Sequence, residues 1–176
     1  MRYILILSLF IGKISFAQTD AIKYQPVLYL ESSFSFGITP DAFNTINFGG
    51  VFGAPVTEHF WLGIGGGYNK IIDKTFKGGL VPVFLELSNY RNKHNPKLFQ
   101  SLRVGIITPG AGISPYLGFR TGRRKQMDEY LSGAFFMGMD ITKMRVIISD
   151  PYINNGRSRA ANKFLPSVLA GLNLSF

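Results

Sequence analysis

The segment Phe164–Phe176, FLPSVLAGLNLSF, constrains the fold more than any other stretch of this chain. By parity, Phe164, Pro166, Val168, Ala170, Leu172, Leu174 and Phe176 share one face. Leu165, Ser167, Leu169, Gly171, Asn173 and Ser175 share the other. One face is wholly apolar, the other mixed and small, which is the period of a β-strand. A soluble sheet that finishes on such a strand exposes a sticky edge. A closed barrel in a bilayer has no edge, because its last strand pairs with its first. The expectation is therefore an all-β chain that closes on itself inside a membrane.

That end also resembles the carboxy-terminal signal of outer-membrane barrels, which the barrel-assembly machinery reads. Gly171, Leu174 and Phe176 match its glycine and its two hydrophobic positions, whereas Leu169 stands where the signal usually has a polar residue. The other end reads as an export signal. Arg2 precedes the short apolar core Tyr3–Ile11, and Ser15-Phe16-Ala17 gives a small-x-small cleavage pattern. The apolar core is about half of the ~20 residues that a spanning helix needs. Residues 1–17 are thus expected to leave as a signal peptide, 18–25 to form a short periplasmic lead-in, and 26–176 to form the barrel.

Composition narrows the function classes. The chain has 176 residues, with 20 Gly, 16 Phe and 8 Tyr, and only 16% charged residues. This suits one β-domain with close backbone contacts and aromatic girdles. The absence of cysteine excludes disulfides, zinc-thiolate sites and a lipoprotein anchor. The formal charge is +9, which permits contact with anionic lipid.

Period-2 reading places eight strands near Val27–Ile38, Thr45–Val56, His59–Lys70, Gly79–Tyr90, Lys97–Thr108, Tyr130–Ile141, Met144–Asp150 and Phe164–Phe176. Pro109–Glu129 reads as the longest connection, with Ile113–Arg120 as extra strand beyond the membrane. Thr142-Lys143 reads as a two-residue turn. Short connections after the second, fourth and sixth strands, and longer ones after the third, fifth and seventh, predict an up-and-down barrel with both termini periplasmic.

Glu31, Glu86, Arg103, Asp140 and Arg145 fall opposite the apolar rows, so they are expected in the lumen. A hairpin centred between His94 and Asn95 sets Glu86 across from Arg103, and one centred between Thr142 and Lys143 sets Asp140 across from Arg145. Opposite charges across a ladder are favourable. A soluble lipocalin-like barrel would place its charges outside and its apolar rows inside.

From about Tyr24 to Phe176 the chain resembles the small eight-stranded outer-membrane barrels of the OmpX and OmpA-barrel type. Asn47-Phe48-Gly49-Gly50, Leu62–Tyr68, Val81–Phe84 and the terminal strand carry the likeness. The resemblance implies a transmembrane β-barrel in the outer membrane of a Gram-negative envelope.

No chemistry stands out. Gly63–Gly67 is glycine-rich but lacks the helix and Lys-Ser/Thr of a phosphate loop. His59 and His94 fall at expected periplasmic turns, away from Asp73, Asp128, Glu129 and Asp150, so no catalytic residue is assigned. No His/Asp/Glu cluster has metal-ligand spacing, no cofactor is expected, and no nucleic-acid recognition module is present. Arg120, Arg123, Arg124, Lys125, Arg157 and Arg159 read as an outer-loop basic surface suited to the phosphates of lipopolysaccharide. Trp61, Tyr68, Tyr90, Tyr116, Tyr130 and Tyr152 read as interface anchors. The function expected is structural, with an accessory place in an envelope complex. The alternative is narrow transport of small or hydrophobic solutes.

Overall fold

The structure, a computed structural model, describes residues 26–39, 42–57, 60–72, 78–90, 98–109, 112–127, 131–149 and 158–175. The expected signal peptide, the lead-in to Gln25, both histidines, Arg157 and Phe176 lie outside the described residues. Eight antiparallel strands follow one another around a closed barrel. They are β1 (Val27–Gly37), β2 (Thr45–Pro55), β3 (Phe60–Ile71), β4 (Gly79–Tyr90), β5 (Leu98–Pro109), β6 (Ser114–Gln126), β7 (Ser132–Ser149) and β8 (Ser158–Ser175). β1 closes against β8, with Tyr29 opposite Ser175 and Gly37 opposite Ser167.

Alternation sorts the side chains. Phe48, Ile64, Leu85, Val104, Phe135 and Leu172 are each more than half exposed on the outer wall. Such a continuous exposed apolar wall suits a hydrocarbon solvent. The inward positions hold the buried residues, with Trp61, Phe136, Ile107, Glu86 and Val51 the most enclosed large side chains. An eight-stranded barrel has room for little beyond its own side chains, and glycines adjust the fit. A Cβ on Gly63 would lie 2.2 Å from Trp61 Cη2. One on Gly118 would lie 2.7 Å from Asp140 Oδ1.

Strand count and the first five strands match the sequence reading to within about one residue at each end, and the second half is redistributed. Ser114–Gln126 is a full barrel strand, paired to β5 and β7, rather than part of a long connection. The segments read as sixth and seventh strands are one strand, β7, of 18 residues. Thr142-Lys143 makes no turn: Thr142 pairs with Leu165 and Lys143 with Phe164. Two-residue hairpins favour Gly, Asn or Asp at positions with φ > 0, and Thr-Lys supplies none of these. The turn chemistry sits instead at Pro109-Gly110-Ala111-Gly112, between β5 and β6.

β7 and β8 also overrun the wall. β6 accompanies β7 only as far as Thr142, and β1 accompanies β8 only to Ser167. Ile38 N donates to Pro166 O at 3.0 Å. Beyond these points the pairs from Lys143↔Phe164 to Ser149↔Ser158 form a two-stranded ribbon. Its seven rungs extend about 20 Å at the usual strand rise. Among the described residues, no further strand pairs with either edge of the ribbon. It projects from the barrel end opposite Val27 and Ser175.

Candidate functional site: a stoppered lumen

Arg103 on β5 is the hub of the lumen. Antiparallel register sets Glu86 of β4 directly across from it, and the Arg103 Nε donates to Glu86 Oε2 at 2.7 Å. Glu31 reaches across from β1, and the two guanidinium Nη atoms donate to its two carboxylate oxygens at 2.6 Å each. A planar fork gripping a carboxylate at two points is the strong geometry for such a pair. Nη2 also donates to Tyr29 Oη at 3.1 Å. Tyr29 donates to Glu86 Oε2 in turn, and Ser88 Oγ donates to Glu86 Oε1 at 2.7 Å. The Phe84 ring lies under the Arg103 guanidinium, 4.5 Å from centroid to Cζ.

A second centre is built on Arg120 of β6. Its Nη1 donates to Asp140 Oδ1 at 2.6 Å and its Nη2 to Asp140 Oδ2 at 3.1 Å. Tyr116 completes a triangle: it accepts from Arg120 Nη2 at 3.0 Å and donates to Asp140 Oδ1 at 3.0 Å. The Phe84 and Tyr116 rings, 5.8 Å apart, join the two centres. Apolar side chains pack around this polar core. Tyr29, Val51, Trp61, Phe84, Ile107 and Tyr116 belong to one cluster, and Phe99, Ala134, Phe136 and Leu169 to another.

The cavities beside these two centres are small. A cavity of about 40 Å³ lies beside Asp140, Tyr116 and Thr142. One of about 10 Å³ lies between Arg103 and Arg120. Such volumes admit one to a few waters. Ionised groups so deeply placed persist only because each is paired and hydrogen-bonded. The arrangement can therefore brace the barrel and obstruct its axis. Among the described residues, no three His, Cys, Asp or Glu side chains group to hold a metal ion.

The structure brings together Glu31, Glu86 and Arg103, and it separates Asp140 from Arg145. Both of the latter belong to the continuous strand β7, where Arg145 pairs with Asn162 and Asp140 with Ser167. Residues of one strand are not cross-strand partners. The partner of Asp140 is Arg120, which is 4% exposed and lumenal rather than part of an outer loop. Arg123, Arg124 and Lys125 are not in an outer loop either. They lie on the last part of β6, at the barrel end that holds Val27 and Ser175. Arg124 shares the inward parity of Arg120 and lies 5.7 Å from the Phe99 centroid, while Arg123 and Lys125 are exposed. Arg159 belongs to β8 and pairs with Ile148 in the ribbon. Trp61 and Tyr116 are lumenal core rather than interface anchors, while Tyr68 is half-exposed on the wall. Of the assembly-signal residues, Gly171 lies opposite Ser33 and Phe136, and Leu174 faces outward. Leu169, the residue that departs from the signal, is buried in the lumen.

The Arg120 centre was accessible to sequence reading. Tyr116, Gly118 and Arg120 alternate with the apolar Leu117 and Phe119. The run Arg120–Lys125 obscured that alternation, because its charges occupy both parities.

No protein family matches the sequence, and no curated protein matches it. Among solved structures, Neisserial surface protein A, an eight-stranded outer-membrane barrel, is similar with a TM-score of 0.60 at 9% identity, covering 85% of this chain and 95% of that one. A de novo designed transmembrane β-barrel has a TM-score of 0.48 at 16% identity over 90% of this chain and 100% of its own. The designed barrel TMB2.3 gives 0.42 at 14% identity, with 86% and 96% covered. At such identity the likeness to the neisserial protein is one of fold, and the fold of this chain is the small eight-stranded barrel of the outer-membrane type.

Proposed function

We propose that this chain is an integral outer-membrane protein of a Gram-negative envelope, of the OmpX and OmpA-barrel type, with a closed lumen and a structural or accessory role. The observation that carries this reading is the inversion of the barrel. Its outside is apolar, and its inside is stoppered by Arg103 and Arg120 with their carboxylates. Solute transport finds no support in cavities of about 40 and 10 Å³. The reading includes no enzymatic activity.

With both termini periplasmic, as an export signal implies, the opposite end of the barrel faces outward. Lys70 and Lys143 are exposed there, and Arg145, Arg157 and Arg159 belong to the ribbon or its connection. These basic groups suit lipopolysaccharide phosphates. The β7–β8 ribbon suits contact with an envelope partner, because an open strand edge offers backbone donors and acceptors. The barrel-assembly machinery is the partner during insertion.

The test is reconstitution of the folded protein in planar bilayers, alongside fractionation of cells. We expect recovery with the outer membrane and no stepwise conductance. Reproducible channel steps from the wild-type protein would replace the structural reading with transport.

A further inference from the structure

On the outer wall, two cross-strand rows pass from apolar to basic at one level. The first runs Phe48, Ser32, Leu172, Phe135, Arg123 across β2, β1, β8, β7 and β6. The second, one step nearer the chain ends, runs Leu30, Leu174, Gly133, Lys125. The wall is indented along these rows. Ser32 supplies a dip, Met127 covers Gly133 with its sulfur 3.1 Å from where a Cβ would stand, and Phe48, Phe135, Leu172 and Leu174, all 45–60% exposed, supply the ridges. Arg123 and Lys125 are exposed and two residues apart on one face of β6, hence roughly 7 Å apart at the backbone. Two long cationic side chains at that spacing are able to converge on one phosphate. On β6 the apolar wall ends at Phe119, yet β7 and β8 remain apolar beside the two cations. Asp128 and Glu129 follow in the adjoining connection, outside the described residues.

We propose that this furrow is a binding site for one anionic glycerophospholipid in the leaflet at the barrel end that holds the chain termini. Arg123 and Lys125 hold the headgroup phosphate, and an acyl chain runs over Phe135 and Leu172 into the dip at Ser32, between Leu172 and Phe48. Two features select this occupant. The paired cations match a phosphate, and the apolar trough running from them matches a chain already dissolved in the bilayer. A free phosphate would meet only the cations, whereas a lipid fills the apolar trough as well. The site rests on the membrane placement proposed above, and its test separates the two.

The experiment folds the protein into phosphatidylcholine vesicles containing a minor fraction of phosphatidylglycerol, extracts it in mild detergent and counts retained lipids by native mass spectrometry. Heat-modifiable gel mobility reports folding independently. Failure of the wild type to fold into vesicles would sink the membrane placement itself. Given folding, we expect one phosphatidylglycerol retained at least tenfold over phosphatidylcholine. Arg123→Gln with Lys125→Gln should abolish the preference. Ser32→Leu keeps both charges and fills the dip, and should weaken retention at least threefold. Equal retention of the two lipids by the wild type overturns the proposal. So does wild-type retention of phosphatidylglycerol by either folded variant.

Discussion

Arg103 serves two carboxylates, and Glu86 serves one arginine, so the two residues are not equivalent. Replacing Arg103 with Met leaves Glu31 and Glu86 facing each other in a closed lumen. Stranding a buried charge costs on the order of 3–5 kcal/mol, less where water enters. We expect Arg103→Met to lower urea-unfolding stability in vesicles clearly more than Glu86→Gln does. Equal losses would mean that Glu31 draws its stability from elsewhere. A steric test addresses Gly63, where a new Cβ would meet Trp61 Cη2 at 2.2 Å. Overpacking of this kind costs about 1–3 kcal/mol. Gly63→Ala should be destabilising alone and partly rescued by Trp61→Phe, and a cycle showing no coupling between the two changes would count against the packing described.

At the level of elements, β7 is the informative strand. It runs unbroken from Ser132 to Ser149 and puts Lys143 beside Phe164, with the Lys143 ammonium 5.8 Å from the ring centroid. A turn at Thr142-Lys143 would put Lys143 at the other end of the barrel. Because the chain has no cysteine, the pair Lys143→Cys and Phe164→Cys gives a clean assay. Cβ atoms of directly opposed antiparallel residues lie about 4.5–5.5 Å apart, which needs only a small adjustment to form a disulfide. We expect mild oxidation to cross-link the folded double variant, with a shifted gel mobility that reductant reverses. A folded protein that does not cross-link would restore the turn.

Across the whole molecule, the registers reverse an expectation about topology. Loop lengths suggested Arg123–Lys125 outside and Lys143 in the periplasm. The barrel puts Arg123–Lys125 at the end holding the chain termini and Lys143 near the opposite end. With periplasmic termini, Lys143→Cys should react with a membrane-impermeant thiol reagent on intact cells. Arg123→Cys should react only after the envelope is opened. Labelling in the reverse order would show the barrel inserted the other way up. The proposed phosphate site would then face lipopolysaccharide rather than phospholipid.

The barrel class, the first five strands, the outward apolar rows and the Glu86–Arg103 pairing were legible in the order of residues alone. These follow from a two-residue period and from the short separation of β4 and β5 along the chain, and both are properties of neighbouring residues. Tertiary structure decided the rest. Glu31 joins Arg103 only because closure brings lumenal side chains of β1 within reach of those of β5. Asp140 finds Arg120 because β6 is a wall strand, a fact hidden where the charges of Arg120–Lys125 broke the alternation. An even strand count is satisfied equally well by a turn at Thr142 and by a separate strand at Ser114–Gln126. Only pairing all the way around the barrel distinguishes the two, since a closed sheet must give every strand two neighbours with the right register.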